Sequence, residues 1–213
     1  MQPEKQNREQ QHRHNGNGQS GHNGKRNGAR AALRRELHTF VAHVEDRPGV
    51  LNRVTSLFRR RAYNIDSLTV GRTEIAGISR MTIVMEADAA TARLVEANLY
   101  KLVNVLRVED VTHEPTLLRD LSLIKVKANA EIRPKVMQIA EVFRARVVDV
   151  TTESLVLEIT GTEDKIQGLI DVLQPFGIVE MVRTGIIAMT RGADGIPIDP
   201  GFVHARVPTN GDS

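Results

Sequence analysis

Apolar residues form two successive series along the chain, and each series predicts the same order of elements. From residue 38, alternation that puts Phe40, Ala42 and Val44 on one face predicts a strand. A Pro-Gly turn follows, and helical spacing then predicts an amphipathic helix that buries Val50, Leu51, Val54, Leu57 and Phe58. Two strands, a second helix and a last strand complete a predicted βαββαβ unit over 38–113.

The second series repeats this order over 119–190, and its final strand is predicted to span Ile178 to Met189. Sheets of this order are antiparallel with both helices on one face, so the predicted fold class is α+β with two ferredoxin-like modules. The predicted organisation has four parts, namely a tail (1–36), a first domain (37–114), a second domain (115–192) and a C-terminal tail (193–213).

Residues 1–36 differ sharply in composition from the rest of the chain. They are rich in Asn, Gln, Gly, His and Arg and almost lack apolar residues before Leu33, which predicts disorder. They carry eight Lys or Arg and three Asp or Glu, whereas the other 177 residues carry 21 and 23. The predicted globular part is therefore slightly acidic, and this argues against a nucleic-acid partner.

Two features of this tail suggest ligands only superficially. Residues 16–21 match G-x-G-x-x-G, but no strand precedes them and no helix follows, as a dinucleotide site requires. Three histidines, at His12, His14 and His22, leave weak metal capture open, and the tail's charge leaves weak contact with a polyanion open.

Several classes of protein are disfavoured by what the sequence lacks. There is no cysteine, so disulfides, thiolate metal sites and cysteine nucleophiles are excluded. No apolar run approaches a membrane span, and the first residues have no apolar targeting segment, so we expect no membrane and a cytoplasmic location. No zinc-protease or nucleophile-elbow motif occurs either, which predicts a binding module rather than an enzyme.

The turn between the first strand and helix is the best candidate site. Pro48 fixes the backbone, and Gly49 leaves room for a ligand. The N–H groups of Gly49, Val50 and Leu51 at the helix start are predicted to form a pocket for an α-carboxylate. Asp46 and Asn64 would then surround an α-ammonium group. The alternative is that Asp46 merely caps the helix and Gly49 merely permits the turn.

These same residues resemble a known family. The run from Val44 to Leu51, VEDRPGVL, is similar to the first turn of ACT domains, which bind amino acids at dimer interfaces. Further blocks resemble the small regulatory subunit of acetolactate synthase, and they span residues 63–71, 79–84, 101–108, 119–126, 143–150 and 183–192. The resemblance covers about 38–192 in the family's order and excludes both tails.

The resemblance implies a function. The family's catalytic large subunit is a separate chain that holds thiamine diphosphate, FAD and Mg²⁺, so this chain is expected to carry no cofactor. The small subunit activates that partner and confers feedback inhibition, usually by valine, in branched-chain amino-acid synthesis. Positions that match the family's effector pocket, formed where two ACT domains of a homodimer pair, are Asp46, Gly49, Val50, Leu51, Asn64 and Ile65.

Two residues depart from the family pattern. Many relatives have Asn at the position of Asp46, whose carboxylate would repel an effector carboxylate placed beside it. Ala62 stands where Gly is frequent, so it must avoid a positive φ or accept a penalty of roughly 1 kcal/mol.

A free-standing ACT-type amino-acid sensor is the alternative function, and nucleic-acid binding by a ferredoxin-like sheet is disfavoured because the RNP aromatics are missing.

Overall fold

The structure, a computed structural model, describes residues 35–193 and contains four α-helices and nine β-strands within that range. The first half comprises β1 (Glu36–Glu45), α1 (Val50–Arg60), β2 (Ser67–Arg72), β3 (Ile78–Ala87), α2 (Ala89–Leu99) and β4 (Val105–Asp110). The second comprises β5 (Thr116–Lys127), α3 (Arg133–Phe143), β6 (Arg146–Val150), β7 (Ser154–Gly161), α4 (Glu163–Leu173), β8 (Ile178–Arg183) and β9 (Ile187–Thr190). The predicted tail over 1–36 lies outside the described residues except for its last two, and 194–213 lie outside as well.

Each half folds as the alternation predicts. The first sheet has the antiparallel order β2-β3-β1-β4, with Phe40 opposite Ile83, and the second has the order β6-β7-β5-β8. In the first sheet, side chains from one face pack with both α1 and α2 around Phe40, Phe58 and Ile83. The predicted fold class, two ferredoxin-like modules, is confirmed.

One helix position departs from the predicted pattern. Val50, Val54 and Phe58 are buried on α1 as expected, but Leu51 is 44% exposed at the first turn of that helix. Val50 in the same turn is 4% exposed, so Leu51 lies at the margin of the buried face of α1 rather than within it. In the described part of the chain, no helix is long and apolar enough to cross a lipid bilayer.

The predicted single strand from Ile178 to Met189 is wrong, since β8 and β9 are separate. Both pair with β5, but three residues separate Arg183 from Ile187, whereas only two separate Arg119 from Ser122 opposite them. The extra residue forms a bulge-like bend. Gly185 occupies it with φ +87°, and a Cβ there would lie 2.7 Å from Ser67 Oγ. Alternation of apolar residues alone does not reveal such an insertion.

The bend brings the second half of the chain onto the first sheet. Val41, on the face of β1 that points away from the helices, packs with Val111, Leu118 and Ala188. The backbone N–H of Ile186 donates to Ser67 Oγ at 2.9 Å. The face of the first sheet opposite its helices is therefore partly covered by β9 and the start of β5.

Ala62 adopts the positive φ that the sequence put in question. Its φ is +53°, and the N–H groups of Ala62 and Tyr63 donate to the carbonyls of Arg59 and Phe58 at 3.1 and 3.0 Å. This is the Schellman arrangement, completed by an edge contact between the Tyr63 and Phe58 rings with centroids 6.1 Å apart. These contacts fix the direction in which the chain leaves α1, and they offset the strain of an alanine in the left-handed conformation.

Candidate functional site

The turn between β1 and α1 is anchored from both sides. Glu45 is 4% exposed, and its carboxylate accepts a hydrogen bond from Asn104 Nδ2 at 2.6 Å. The backbone N–H groups of Glu45 and Asp46 donate to Asn104 O at 2.9 Å and to Gly77 O at 2.8 Å. The residues that follow are therefore presented at a fixed position beside the end of the sheet.

Gly49 immediately precedes α1 and leaves the helix start uncapped by any side chain. Its φ is +84°, and a Cβ built there meets no atom within 4 Å. Glycine is thus favoured by backbone conformation rather than by close packing. Among the described residues, the N–H groups of Gly49 and Leu51 have no hydrogen-bond acceptor. They remain available to an anion at the positive end of the helix dipole.

The prediction of three free N–H groups is wrong for one of them. The N–H of Val50 donates to Arg47 O at the long distance of 3.4 Å. The Val50 side chain is 4% exposed and belongs to the core, so it supports the turn from beneath. Leu51, which is 44% exposed, is the residue of this pair that offers an apolar surface to a ligand.

Asp46 does not cap α1, contrary to the alternative that the sequence left open. Its Oδ2 accepts a hydrogen bond from Arg72 Nε at 3.1 Å, across the end of the sheet. Both side chains are substantially exposed, so their attraction is modest. Arg72 nevertheless offsets the negative charge that Asp46 brings to the turn. Arg72 was not predicted from the sequence. The available signal was its position as the last residue of β2, which only β3 separates from β1 in the sheet.

Asn64 and Ile65 lie at the opposite end of the same sheet. Asn64 Nδ2 donates to Asp66 Oδ1 at 3.2 Å, and Ile65 packs against the core. Two positions on β3 mark the distance. Asp66 N donates to the carbonyl of Val84 near one end of β3, whereas Glu45, just before the turn between β1 and α1, pairs with Ile78 at the other end. Six residues of strand separate these positions on β3, which is about 20 Å. One copy of the chain therefore brings Asp46, Gly49, Val50 and Leu51 together but leaves Asn64 and Ile65 apart from them.

A buried polar cluster, which was not predicted from the sequence, lies between β1 and the end of β4. His38, 3% exposed, shares a hydrogen bond of 2.7 Å between its Nδ1 and Asp110 Oδ2. The Thr112 hydroxyl donates to the other oxygen of Asp110 and accepts from Thr39 N at 2.9 Å. Because that hydroxyl is committed to the carboxylate, the cluster does not activate a nucleophile. Within residues 35–193, no group of three or more His, Asp or Glu side chains could hold a metal ion.

Two ferredoxin-like modules, the first with a glycine turn that exposes helix-start N–H groups, define a protein of the ACT-domain class. Comparison with known sequences agrees for each half. Residues 40–107 match the family described as "AHAS small subunit-like ACT domain", and residues 119–192 match the family described as "Small subunit of acetolactate synthase".

Individual relatives give the same result. The chain is 48% identical over 159 residues to the acetolactate synthase small subunit of Mycobacterium leprae, covering 75% of this chain and 94% of that one. It is 47% identical over 155 residues to a probable acetolactate synthase small subunit of Archaeoglobus fulgidus, covering 73% and 97%. The crystal structure of the small subunit from Thermotoga maritima superposes with a TM-score of 0.69 at 38% identity, covering 74% and 98%. The chain belongs to the family of acetolactate synthase small, regulatory subunits.

Proposed function

We propose that this chain activates a separate catalytic subunit of acetolactate synthase and makes it sensitive to valine or a related branched-chain amino acid. The observation that supports this most directly is the uncapped start of α1, where the N–H groups of Gly49 and Leu51 lack acceptors among the described residues. An amino acid offers the matching group in its α-carboxylate. Membership of the small-subunit family supplies the class of enzyme and implies a catalytic partner.

The proposed pocket is completed by a second copy of the chain. β2 is an edge strand of the first sheet, with β3 as its only neighbour among the described residues. If two copies of β2 pair in antiparallel about a two-fold axis at their centre, Ser67 of one copy lies opposite Arg72 of the partner subunit. Arg72 bonds to Asp46 within each copy. Asn64 would therefore approach the partner's turn, although it lies far from its own.

Each residue then has a distinct role in the proposed pocket. The helix-start N–H groups at Gly49 and Leu51 bind the carboxylate, and the exposed Leu51 side chain contacts the aliphatic side chain of the effector. Asn64 from the second copy supplies a hydrogen bond, with Ile65 holding its segment on the core. Asp46 faces the ammonium group while Arg72 limits its repulsion of the carboxylate.

The reaction chemistry belongs, in this proposal, to the catalytic partner with its thiamine diphosphate, FAD and Mg²⁺. The small subunit acts by binding the partner and by shifting it between a more active and a less active state. Valine can shift that equilibrium only through a difference in its affinity for the two states. The same difference makes the catalytic subunit alter the affinity of this chain for valine.

Calorimetric titration with valine tests the pocket. Gly49→Asp should weaken valine binding at least about tenfold, because a carboxylate at this position occupies the space in front of the helix-start N–H groups. Gly49→Ala is the matched control, since it carries the same backbone strain without the charge, and it should bind valine within about threefold of the parent. If Gly49→Asp and Gly49→Ala bind valine equally well, the pocket lies elsewhere.

A further inference from the structure

A cleft of about 360 Å³ lies between the outer face of the first sheet and the segment that contains β9. Three arginines and a set of apolar side chains line it, and no described acidic residue does. The side chains that matter here are Arg72, Arg80, Arg119, Leu117, Ile187 and Met189. A cavity of this size is within the usual range for small-molecule sites.

Arg80 is the most unusual of these cations because its charge is half-buried without a counter-ion. Its Nη2 donates to the carbonyl of Ala188 at 2.6 Å, and no carboxylate lies within ion-pair distance of it among residues 35–193. Burial lowers the pKa of Arg80 from its usual value, while the more distant Glu74 and Glu109 only partly oppose this. A desolvated guanidinium in this state favours an anionic partner.

The neighbours of Arg80 on the sheet do not supply that charge. His43 lies directly across from it on β1 and is 3% exposed. Burial, reinforced by the charge of Arg80, lowers the pKa of His43 to about 4, so its ring is neutral at pH 7. On the far side of His43, the carboxylate of Glu109 accepts a hydrogen bond from Arg107 Nε at 2.6 Å.

The other side of the cleft adds positive charge and apolar surface. Arg119 is exposed and donates only to the carbonyl of the preceding Leu118, at 2.7 Å, among the described residues. Ile187 and Met189 are 53% and 63% exposed, which is unusual for large apolar side chains on the same short strand. The cleft thus combines two guanidiniums that lack carboxylate partners with an apolar wall.

We propose that this cleft binds a small organic anion, a carboxylate or a phosphate ester with a short apolar group. Arg80 and Arg119 bind the anionic group, and Leu117, Ile187 and Met189 contact the apolar part. The site is separate from the proposed amino-acid pocket, which it neighbours through Arg72. Its ligand needs no ammonium group, since no described carboxylate lines the cleft.

Calorimetry on the full chain tests this proposal with three probes, namely 3-methylbutanoate, isobutyl phosphate and the neutral 3-methylbutanamide. At least one of the two anions should bind saturably, and the anion that binds more tightly identifies the preferred headgroup. The neutral amide should not bind. Arg80→Ala and Arg119→Ala should each raise the Kd for that anion about tenfold or more. Arg93→Ala, an exposed arginine on α2 in the helix layer, is the matched control and should leave the Kd within about twofold.

Arg119 is exposed, so Arg119→Ala keeps the test sound if Arg80→Ala does not fold. The proposal is overturned if neither anion binds, if the amide binds equally well, or if both arginine variants bind as the parent does. It is also overturned if Asn64→Ala abolishes binding while Arg119→Ala does not, because the anion would then occupy the amino-acid pocket. Binding seen only in a chain that ends at residue 193 would overturn it too, and would assign the cleft to residues 194–213.

Discussion

Replacing Ala62 with glycine should stabilise the protein, although it removes a methyl group and adds backbone freedom. Ala62 has φ +53° in the left-handed region, where an L-residue with a Cβ is strained by about 1–2 kcal/mol. Glycine relieves that strain but increases the entropy of the unfolded chain, which costs about 0.4–1 kcal/mol. The expected net gain in the free energy of unfolding is therefore about 0.5–1 kcal/mol.

Urea denaturation at fixed protein concentration measures this difference, and two further variants make it specific. Arg144 ends α3 in the same way, with φ +53° and Ala145 N bonded to Ala140 O at 2.8 Å, so Arg144→Gly should also stabilise. Ala97→Gly makes the same chemical change at an exposed position inside α2, where it should instead cost about 0.5–1 kcal/mol.

The opposite signs of the two alanine substitutions are the decisive result. If Ala62→Gly destabilises the protein as much as Ala97→Gly does, Ala62 is not held in a strained conformation, and the description of the α1 cap is wrong. The valine response should be unchanged in Ala62→Gly, because the cap hydrogen bonds that lead the chain to Asn64 involve only the backbone.

Substitutions of three other titratable side chains should also have measurable effects. Asp120→Ala should lower the free energy of unfolding by about 3 kcal/mol in urea, since Asp120 is 2% exposed and binds Arg183 Nε at 2.7 Å and Gly185 N at 3.1 Å. Glu180→Ala breaks only an exposed ion pair, and a cost above about 1 kcal/mol there would undermine this comparison. His43→Gln should flatten the pH dependence of the free energy of unfolding. The pKa of His43 is lowered to about 4 in the folded chain, so the unfolded chain binds more protons and stability is lost as the pH falls from about 6.5 towards 4. An equally steep fall in the variant would assign that loss to other groups. Asp46→Asn should raise the valine Kd about threefold in calorimetry, because the amide lacks the negative charge that faces the effector ammonium group, and tighter binding would mean that repulsion of the effector carboxylate outweighs that attraction.

The two ferredoxin-like modules were predictable because all four helices and most of the strands bury one face within their own module. Alternation at Phe40, Ala42 and Val44 reports that burial directly. Contacts between the modules were not predictable in this way. Val41 and Ala188 lie far apart in sequence, and the bend at Gly185 that joins them depends on one extra residue opposite β5.

The candidate site was predictable where it is local and unpredictable where it depends on pairing. The Pro48-Gly49 turn and the helix start that follows it depend only on residues that are adjacent in the sequence, so they were predictable. The ion pair between Asp46 and Arg72 depends on the register of β2 on β3, which sequence spacing does not fix. The place of Asn64 at the far end of the sheet depends on the same register, so its separation from Gly49 within one copy was not predictable from sequence spacing.

Reconstitution with the purified catalytic subunit from the same organism tests whether this chain activates that subunit and makes it sensitive to an amino acid. Acetolactate formation from pyruvate would be measured for each chain alone and for the mixture, across increasing valine, leucine and isoleucine. We expect no activity from this chain alone and a several-fold rise in the turnover of the catalytic subunit when this chain is added. We also expect inhibition by at least one of the three amino acids that appears or strengthens only in the mixture. If the turnover and the amino-acid response of the catalytic subunit are the same with and without this chain, the chain is not its activating and regulatory subunit.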